Sequence, residues 1–119
     1  MKNTVILGAS NNPERYSYMA TVKLKAHGHK VYPVGEKEGE IEGEKILTNK
    51  PLLENIDTVT LYLSEKNQKP VYDYIFALKP KRLIFNPGTE NAELENLAEA
   101  KGIECVDACT LVMLSIGNY

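Results

Sequence analysis

The chain has 119 residues, 43% of them apolar and 25% charged, with a net charge of −2. This is the make-up of one globular domain, residues 1–119, with a single core that needs no disulfide or metal staple. It excludes a bilayer-spanning helix, since no run approaches the roughly 18 apolar residues required, and it offers no basic surface for nucleic acid.

Strand and helix signals then alternate. Val5–Leu7 reads as a first strand that ends at Gly8. A helix follows from about Tyr16 to Ala26, with Met19, Ala20 and Leu24 on its inner face and Lys23 and Lys25 outside; Gly28 suits the left-handed residue that ends it. Lys30–Val34 is the second strand. Gly35, Gly39 and Gly43 space out a Glu- and Lys-rich loop, and Lys45–Leu47 reads as a short third strand. A helical turn through Leu52 and Leu53 leads to a fourth strand, Thr58–Leu63, rich in residues that favour strands. The third helix starts near Pro70, with Val71, Tyr74, Ile75 and Leu78 at helical spacing. Arg82–Phe85 is the fifth strand and closes at Asn86-Pro87-Gly88. A fourth helix runs from about Glu90 to Lys101, with acids in its first turns, Leu94, Leu97 and Ala98 inward, and Gly102 at its end. Ile103–Val106 is the last strand. Thr110–Ile116 is an apolar tail, either a short helix or a docked segment.

This alternation predicts an α/β fold: a three-layer, Rossmann-like, doubly wound and mainly parallel sheet of five to six strands. Ligands of such sheets bind at the carboxyl ends of the strands, where the winding reverses. That rule nominates Gly8–Ser17, Pro33–Lys37, Leu63–Asn67 and Asn86–Thr89.

Gly8-Ala9-Ser10 supplies small residues and backbone donors where a strand feeds a helix, the arrangement that holds phosphates. Only one of the three glycines of a dinucleotide fingerprint is present. Arg15 and Ser17 can add a charged fork and a hydroxyl to a diphosphate. A plain strand-to-helix turn with a solvated Arg15 is the alternative. In Pro33–Lys37, Glu36 suits a ribose hydroxyl, Lys37 an extra phosphate, and Pro33 a flat edge for a purine; a polar turn is the alternative. Leu63-Ser64-Glu65 stands at the expected switch point.

Catalytic groupings are poor. His27 and His29 flank Gly28, on the side of the sheet away from the nominated loops, and Ser10 and Ser64 have no base beside them. Cys105 and Cys109 have no metal-ligand spacing and read as reduced thiols of a cytoplasmic chain, whose N-terminus enters a strand with no secretion signal. Cys109 is the one plausible reactive group, with a small buried apolar residue as the alternative.

With these loops in place, the chain resembles the small, single-domain CoA-binding proteins. Their fold is that of the CoA-binding domain of succinyl-CoA synthetase α subunits and related acyl-CoA synthetases. Val5-Ile-Leu-Gly-Ala-Ser10 followed by Pro13-Glu-Arg-Tyr-Ser17 is similar to that family's opening. Val31-Tyr-Pro-Val34 looks like its second-strand ending, Pro87-Gly88-Thr-Glu-Asn91 like its glycine–acid–asparagine turn, and Cys109 falls at its near-terminal cysteine. The resemblance implies diphosphate contacts at Gly8, Ala9, Ser10, Arg15 and Ser17. It also implies a CoA contact at Lys37 and nucleotide contacts at Leu63, Ser64 and Glu65. Gly35-Glu36 replaces the usual Asn-Pro, Asn86 the more usual glutamine, and Ala108-Cys109-Thr110 the usual Arg-Cys-Pro. The catalytic histidine of the synthetases belongs to a further domain, so ligase activity is not implied.

The expected function is non-catalytic binding of coenzyme A or an acyl-CoA through the Gly8-Ala9-Ser10 loop, in a sensing or regulatory module with no nucleic-acid or membrane partner. Two alternatives stay open: an NAD(P)-binding enzyme, and a redox protein in which Cys109 exchanges disulfides with the CoA thiol.

Overall fold

β1 (Thr4–Leu7) is the pivot of the molecule: all four residues are buried, as in a parallel strand covered on both faces. Side chains alternate along it. Val5 and Leu7 join one apolar cluster, and Ile6 joins the other. The computed structural model describes all 119 residues. After β1 come α1 (Tyr16–Ala26), β2 (Val31–Val34), and a small antiparallel hairpin of β3 (Glu40–Ile41) and β4 (Glu44–Lys45). Then follow β5 (Thr58–Leu61), α2 (Glu65–Gln68), a 3-10 turn at Lys69–Val71, and α3 (Tyr72–Ala77). β6 (Arg82–Phe85), α4 (Ala92–Ala100), β7 (Glu104–Asp107) and α5 (Thr110–Ser115) complete the chain.

The five long strands form one parallel sheet in the order β2-β1-β5-β6-β7. Leu24 of α1 and Leu114 of α5 pack on the Ile6 face, while Ile75 of α3 and Leu94 of α4 pack on the Val5–Leu7 face. This is the predicted three-layer Rossmann-like α/β architecture, with five strands. The chain leaves β1 for β2 on one side and later lays β5 on the other, so the winding reverses between the carboxyl ends of β1 and β5. No helix is long and apolar enough to cross a membrane.

Several elements differ from the sequence reading. The fourth predicted strand stops at Leu61, where Tyr62 N–H still donates to Leu7 but the chain then turns away. The third predicted helix starts at Glu65, five residues early, and is broken by the 3-10 turn around Pro70, which has no N–H to carry an α-helical ladder. No helical turn forms at Leu52 and Leu53. Left-handed residues at Lys50 and Asn55 bracket an irregular segment there, Leu52 is exposed, and only Leu53 reaches the core. Lys45–Leu47 is not a strand of the main sheet. Lys45 closes the hairpin, and Leu47 makes a single bridge to Val34.

Two helix faces also turn. The buried residues of α1 are Ser17, Ala20, Thr21 and Leu24, spaced i, i+3, i+4 and i+7, which rolls Met19 outward. In α4 Leu94 and Ala98 are buried, and Leu97 is exposed. That helix begins at Ala92, capped by the Asn91 side chain accepting from Leu94 N–H.

Candidate functional site

The carboxyl ends of β1 and β5 open into a cleft of about 690 Å³, within the range of small-molecule sites. Its first wall is built by one turn. Gly8 leaves β1 with φ +98, a conformation costly for any residue with a Cβ, and both Gly8 and Ala9 N–H donate to the Val34 carbonyl at 2.9 Å. A Cβ on Gly8 would stand 3.0 Å from the Tyr62 carbonyl carbon and 3.1 Å from Leu63 Cδ2. The β1 and β5 loops therefore touch through this missing side chain. Gly35 is tighter: a Cβ there would fall 2.4 Å from the Ala9 carbonyl oxygen, so the β2 loop is pressed against the first turn.

The polar stretch between Gly8 and α1 is organised by its own side chains. Asn12 N–H donates to Ser10 Oγ, and Glu14 N–H to Asn12 Oδ1. Arg15 is the residue before the first helical turn and gives it no side-chain cap. The first-turn N–H groups of Tyr16 and Ser17 thus have no partner in the helix, and both residues line the cleft. The positive end of the α1 dipole lies here, and no acid occupies that turn. Ser17 lines the cleft although it is only 4% exposed.

Of the predicted site residues, the structure gathers Gly8, Ala9, Ser10, Arg15, Ser17, Lys37, Leu63 and Ser64 on the cleft wall. Two stand apart. Pro33 is buried inside β2 and does not line the cleft. Its carbonyl faces the outer edge of the sheet and accepts from Leu47 N–H; the N–H that proline lacks would point the same way, which is why this edge position tolerates it. Glu65 is the exposed first residue of α2, and the helix carries its side chain off the wall. Glu14 and Glu36 line the cleft together with Arg15 and Lys37, so the site has no net charge from these four side chains. An anion here would meet amide donors and a helix end rather than a cationic field.

The far wall, Leu63, Ser64, Asn67 and Pro87–Thr89, rests on buried amides that sequence reasoning missed. Gln68, fully buried, donates through Nε2 to the Leu63 and Thr89 carbonyls and accepts from Asn91 Nδ2. Asn86 donates to Thr60 Oγ1 at 2.7 Å and to the Leu61 carbonyl at 2.9 Å, while its Oδ1 accepts from Thr110 N–H. The amide of Asn86, the position where the resembled family more often has glutamine, is thus spent on the protein itself. A signal existed. Thr58 and Thr60 share one face of a strand buried throughout, where hydroxyls require partners: Thr58 Oγ1 accepts from Arg82 Nε and donates to Asp57 Oδ1, and Thr60 Oγ1 meets Asn86 Nδ2 and Thr110 Oγ1.

Tyr62 also lines the cleft, yet its hydroxyl is sealed in near those of Thr60 and Thr110 without reaching hydrogen-bond geometry; burial pushes its pKa up to about 12. Cys109 precedes α5, half-buried, and is not on the cleft wall. No group of three or more His, Cys, Asp or Glu side chains is placed to hold a metal ion.

Cys105 is half-buried, and its Sγ lies 3.8 Å from the Glu95 and Ile103 carbonyls. Burial, then the carboxylates of Glu99, Glu95, Asp107 and Glu104, push its thiol up to about 11. The thiolate is the reactive form, so alkylation of Cys105 by iodoacetamide should rise about ten-fold per pH unit from neutrality toward that value. It should also stay slower than alkylation of Cys109 at neutral pH. Peptide mass spectrometry would read both rates. A Cys105 rate that levels off below about pH 9, or exceeds that of Cys109, would contradict this placement.

A family model described as a CoA binding domain matches residues 2–115. None of the curated proteins matches the chain. A crystal structure of an uncharacterized protein is 55% identical, with a TM-score of 0.98 over 100% of this chain and 98% of that one. A hypothetical protein from Pyrococcus horikoshii OT3 is 26% identical, with a TM-score of 0.87 over 97% of this chain and 82% of that one. An acetyl-coenzyme A synthetase from Candidatus Korarchaeum cryptofilum, in complex with phosphate and ADP, shares the fold at 20% identity and a TM-score of 0.70. There the match covers 89% of this chain but 25% of the synthetase.

Proposed function

The chain belongs to the CoA-binding domain family, and from that premise we propose that its cleft binds coenzyme A or an acyl-CoA without turning it over. The observation that carries this reading is the first wall of the cleft. Gly8 lets backbone approach closely, the uncapped first turn of α1 presents free N–H groups, and Ser17 and Arg15 stand beside them. These donors suit a diphosphate. Ala9 and Ser10 continue the same wall, and Leu63 and Ser64 face it from the β5 side. No His lines the cleft, and none of its three serines, Ser10, Ser17 and Ser64, is hydrogen-bonded to a carboxylate, so the wall holds no paired nucleophile and base. Bound ligand would be sensed or delivered rather than transformed, in a cytoplasmic setting and in concert with a protein partner.

Lys37 is the cation assigned to the 3′-phosphate, the group that separates CoA from most adenine nucleotides. It is exposed at the cleft and has no ion-pair partner; the chain's one ion pair joins Lys25 to Glu44. A charge-assisted contact at such a position is worth roughly 1.5 kcal/mol. Lys37→Ala should therefore weaken CoA about ten-fold in a calorimeter and leave dephospho-CoA nearly unchanged. Equal losses for both ligands would remove Lys37 from this role. Binding of NADH in preference to CoA by the unaltered protein would overturn the reading itself.

A further inference from the structure

The amino ends of the strands, opposite the cleft, carry a second depression of about 460 Å³ where the α3–β6 and α4–β7 connections meet. Its floor is apolar: Pro80 and Ile103 are buried, and the half-buried Phe76 ring has Lys101 Nζ 5.0 Å from its centroid. Lys79, Lys81 and Lys101 form the rim, all exposed and none in an ion pair. No carboxylate lines it, in a chain whose net charge is −2. Gly102 leaves the lip open, since a Cβ there would meet nothing within 4 Å.

Helix capping explains only part of this. Lys79 and Lys101 follow the carboxyl ends of α3 and α4, where cations are favoured. The last carbonyls of α4 are nevertheless taken by backbone donors: Ala98 accepts from Lys101 and Ile103 N–H, and Glu99 from Gly102 N–H. Lys81 lies beyond either helix end, beside β6. None of the three ammonium groups meets a carboxylate; Lys101 is held only over the Phe76 ring, and Lys79 and Lys81 have no ion-pair partner within the chain.

We propose that this depression docks an acidic segment of a partner protein, one in which an apolar side chain stands between carboxylates. Charge complementarity and the mixed lining select this occupant. Lys79 and Lys81 stand on one connection and Lys101 on the other, each on a long exposed stem, so they do not converge rigidly on a single small anion. Several carboxylates along a peptide can each meet one of them while the apolar residue covers Pro80 and Ile103. Three cations are too few for the electrostatic footprint of a nucleic-acid site, and Lys101 already covers the Phe76 ring that a base would stack on. The assignment is independent of what the cleft binds.

The test is a titration of the isotope-labelled full chain, free of CoA, with the blocked peptide Glu-Glu-Phe-Glu-Glu, followed by amide NMR. The amides of Lys79, Lys81, Lys101 and Gly102 are expected to shift saturably, with affinity falling as salt is raised. Exchanging two exposed cations for acids in Lys81→Glu/Lys101→Glu should weaken the peptide about ten-fold or more. The matching Lys-Lys-Phe-Lys-Lys peptide should leave these amides unmoved. Shifts that are absent, scattered over the surface, or unchanged in the double variant would overturn the proposal. So would the same amides moving with protein concentration alone, which assigns the depression to a second copy, or tighter binding of a single-stranded RNA oligonucleotide.

Discussion

Gly8→Val is expected to abolish CoA binding and to lower the melting temperature by roughly 10 °C or more. At φ +98 a β-branched residue is a steric outlier, and its Cβ would lie 3.0 Å from the Tyr62 backbone, an atom that cannot swing aside. Strain of this kind costs roughly 1–3 kcal/mol, and forced overpacking a similar amount. The chain relieves both by separating the β1 and β5 loops, which are the two walls of the cleft. The same shift disturbs the turn's bonds from Gly8 and Ala9 N–H to the Val34 carbonyl on β2. Binding therefore suffers more than folding, because the strand ladders that hold the sheet lie outside the turn. Circular dichroism and calorimetry on one sample separate the two effects. Gly8→Ala, smaller and unbranched, should keep the fold and retain weakened binding. Native CoA affinity in a folded Gly8→Val protein would refute the role given to this turn.

Asn86→Leu should be nearly as damaging, by a different route. Asn86 is 3% exposed and links three groups: the Thr60 hydroxyl, the Leu61 carbonyl and the Thr110 N–H. Leucine matches its size but strands the latter two in the interior, at about 1–3 kcal/mol each. Thr60 and Thr110 keep one another, at 2.8 Å, so the hydroxyl pair survives. A Tm fall of roughly 10 °C is expected, with α5 and the β6 loop exchanging amide protons faster than the rest of the domain. Protection lost evenly along the chain would mean that Asn86 supports the core and not the cleft's far wall.

The parts of this molecule that are legible in the sequence are those governed by short-range rules. The run Val5-Ile6-Leu7 before Gly8 announces a buried parallel strand, and the acids Glu90 and Glu93 announce α4, which begins at Ala92 rather than at Glu90. The order of signals yields the layers, since alternating strands and helices have few ways to close. What stays hidden depends on contacts between distant segments. Leu94 and Leu97 are three residues apart on one helix, and no local signal tells the buried one from the exposed one. The roll of α1 that exposes Met19 is likewise set by the sheet beneath it. Pro33 reads as a ligand edge because the bond from Leu47 to its carbonyl joins segments that are distant in sequence. Glu65 reads as part of the wall because strand-favouring residues continue past Leu61, where β5 ends. The amide network of Gln68 and Asn86 joins residues more than twenty positions apart and leaves only its hydroxyl stripe as a clue.

The contact between Gly35 and Ala9 bears on how such a site changes over time. Any side chain at position 35 would meet the Ala9 carbonyl 2.4 Å from its Cβ, so that position and the first turn cannot drift separately. An asparagine, the residue usual here in the resembled family, fits only if the Gly8-Ala9 backbone retreats. The two loops are therefore a matched pair, and a graft of one without its mate would carry the residues of the cleft wall without its shape.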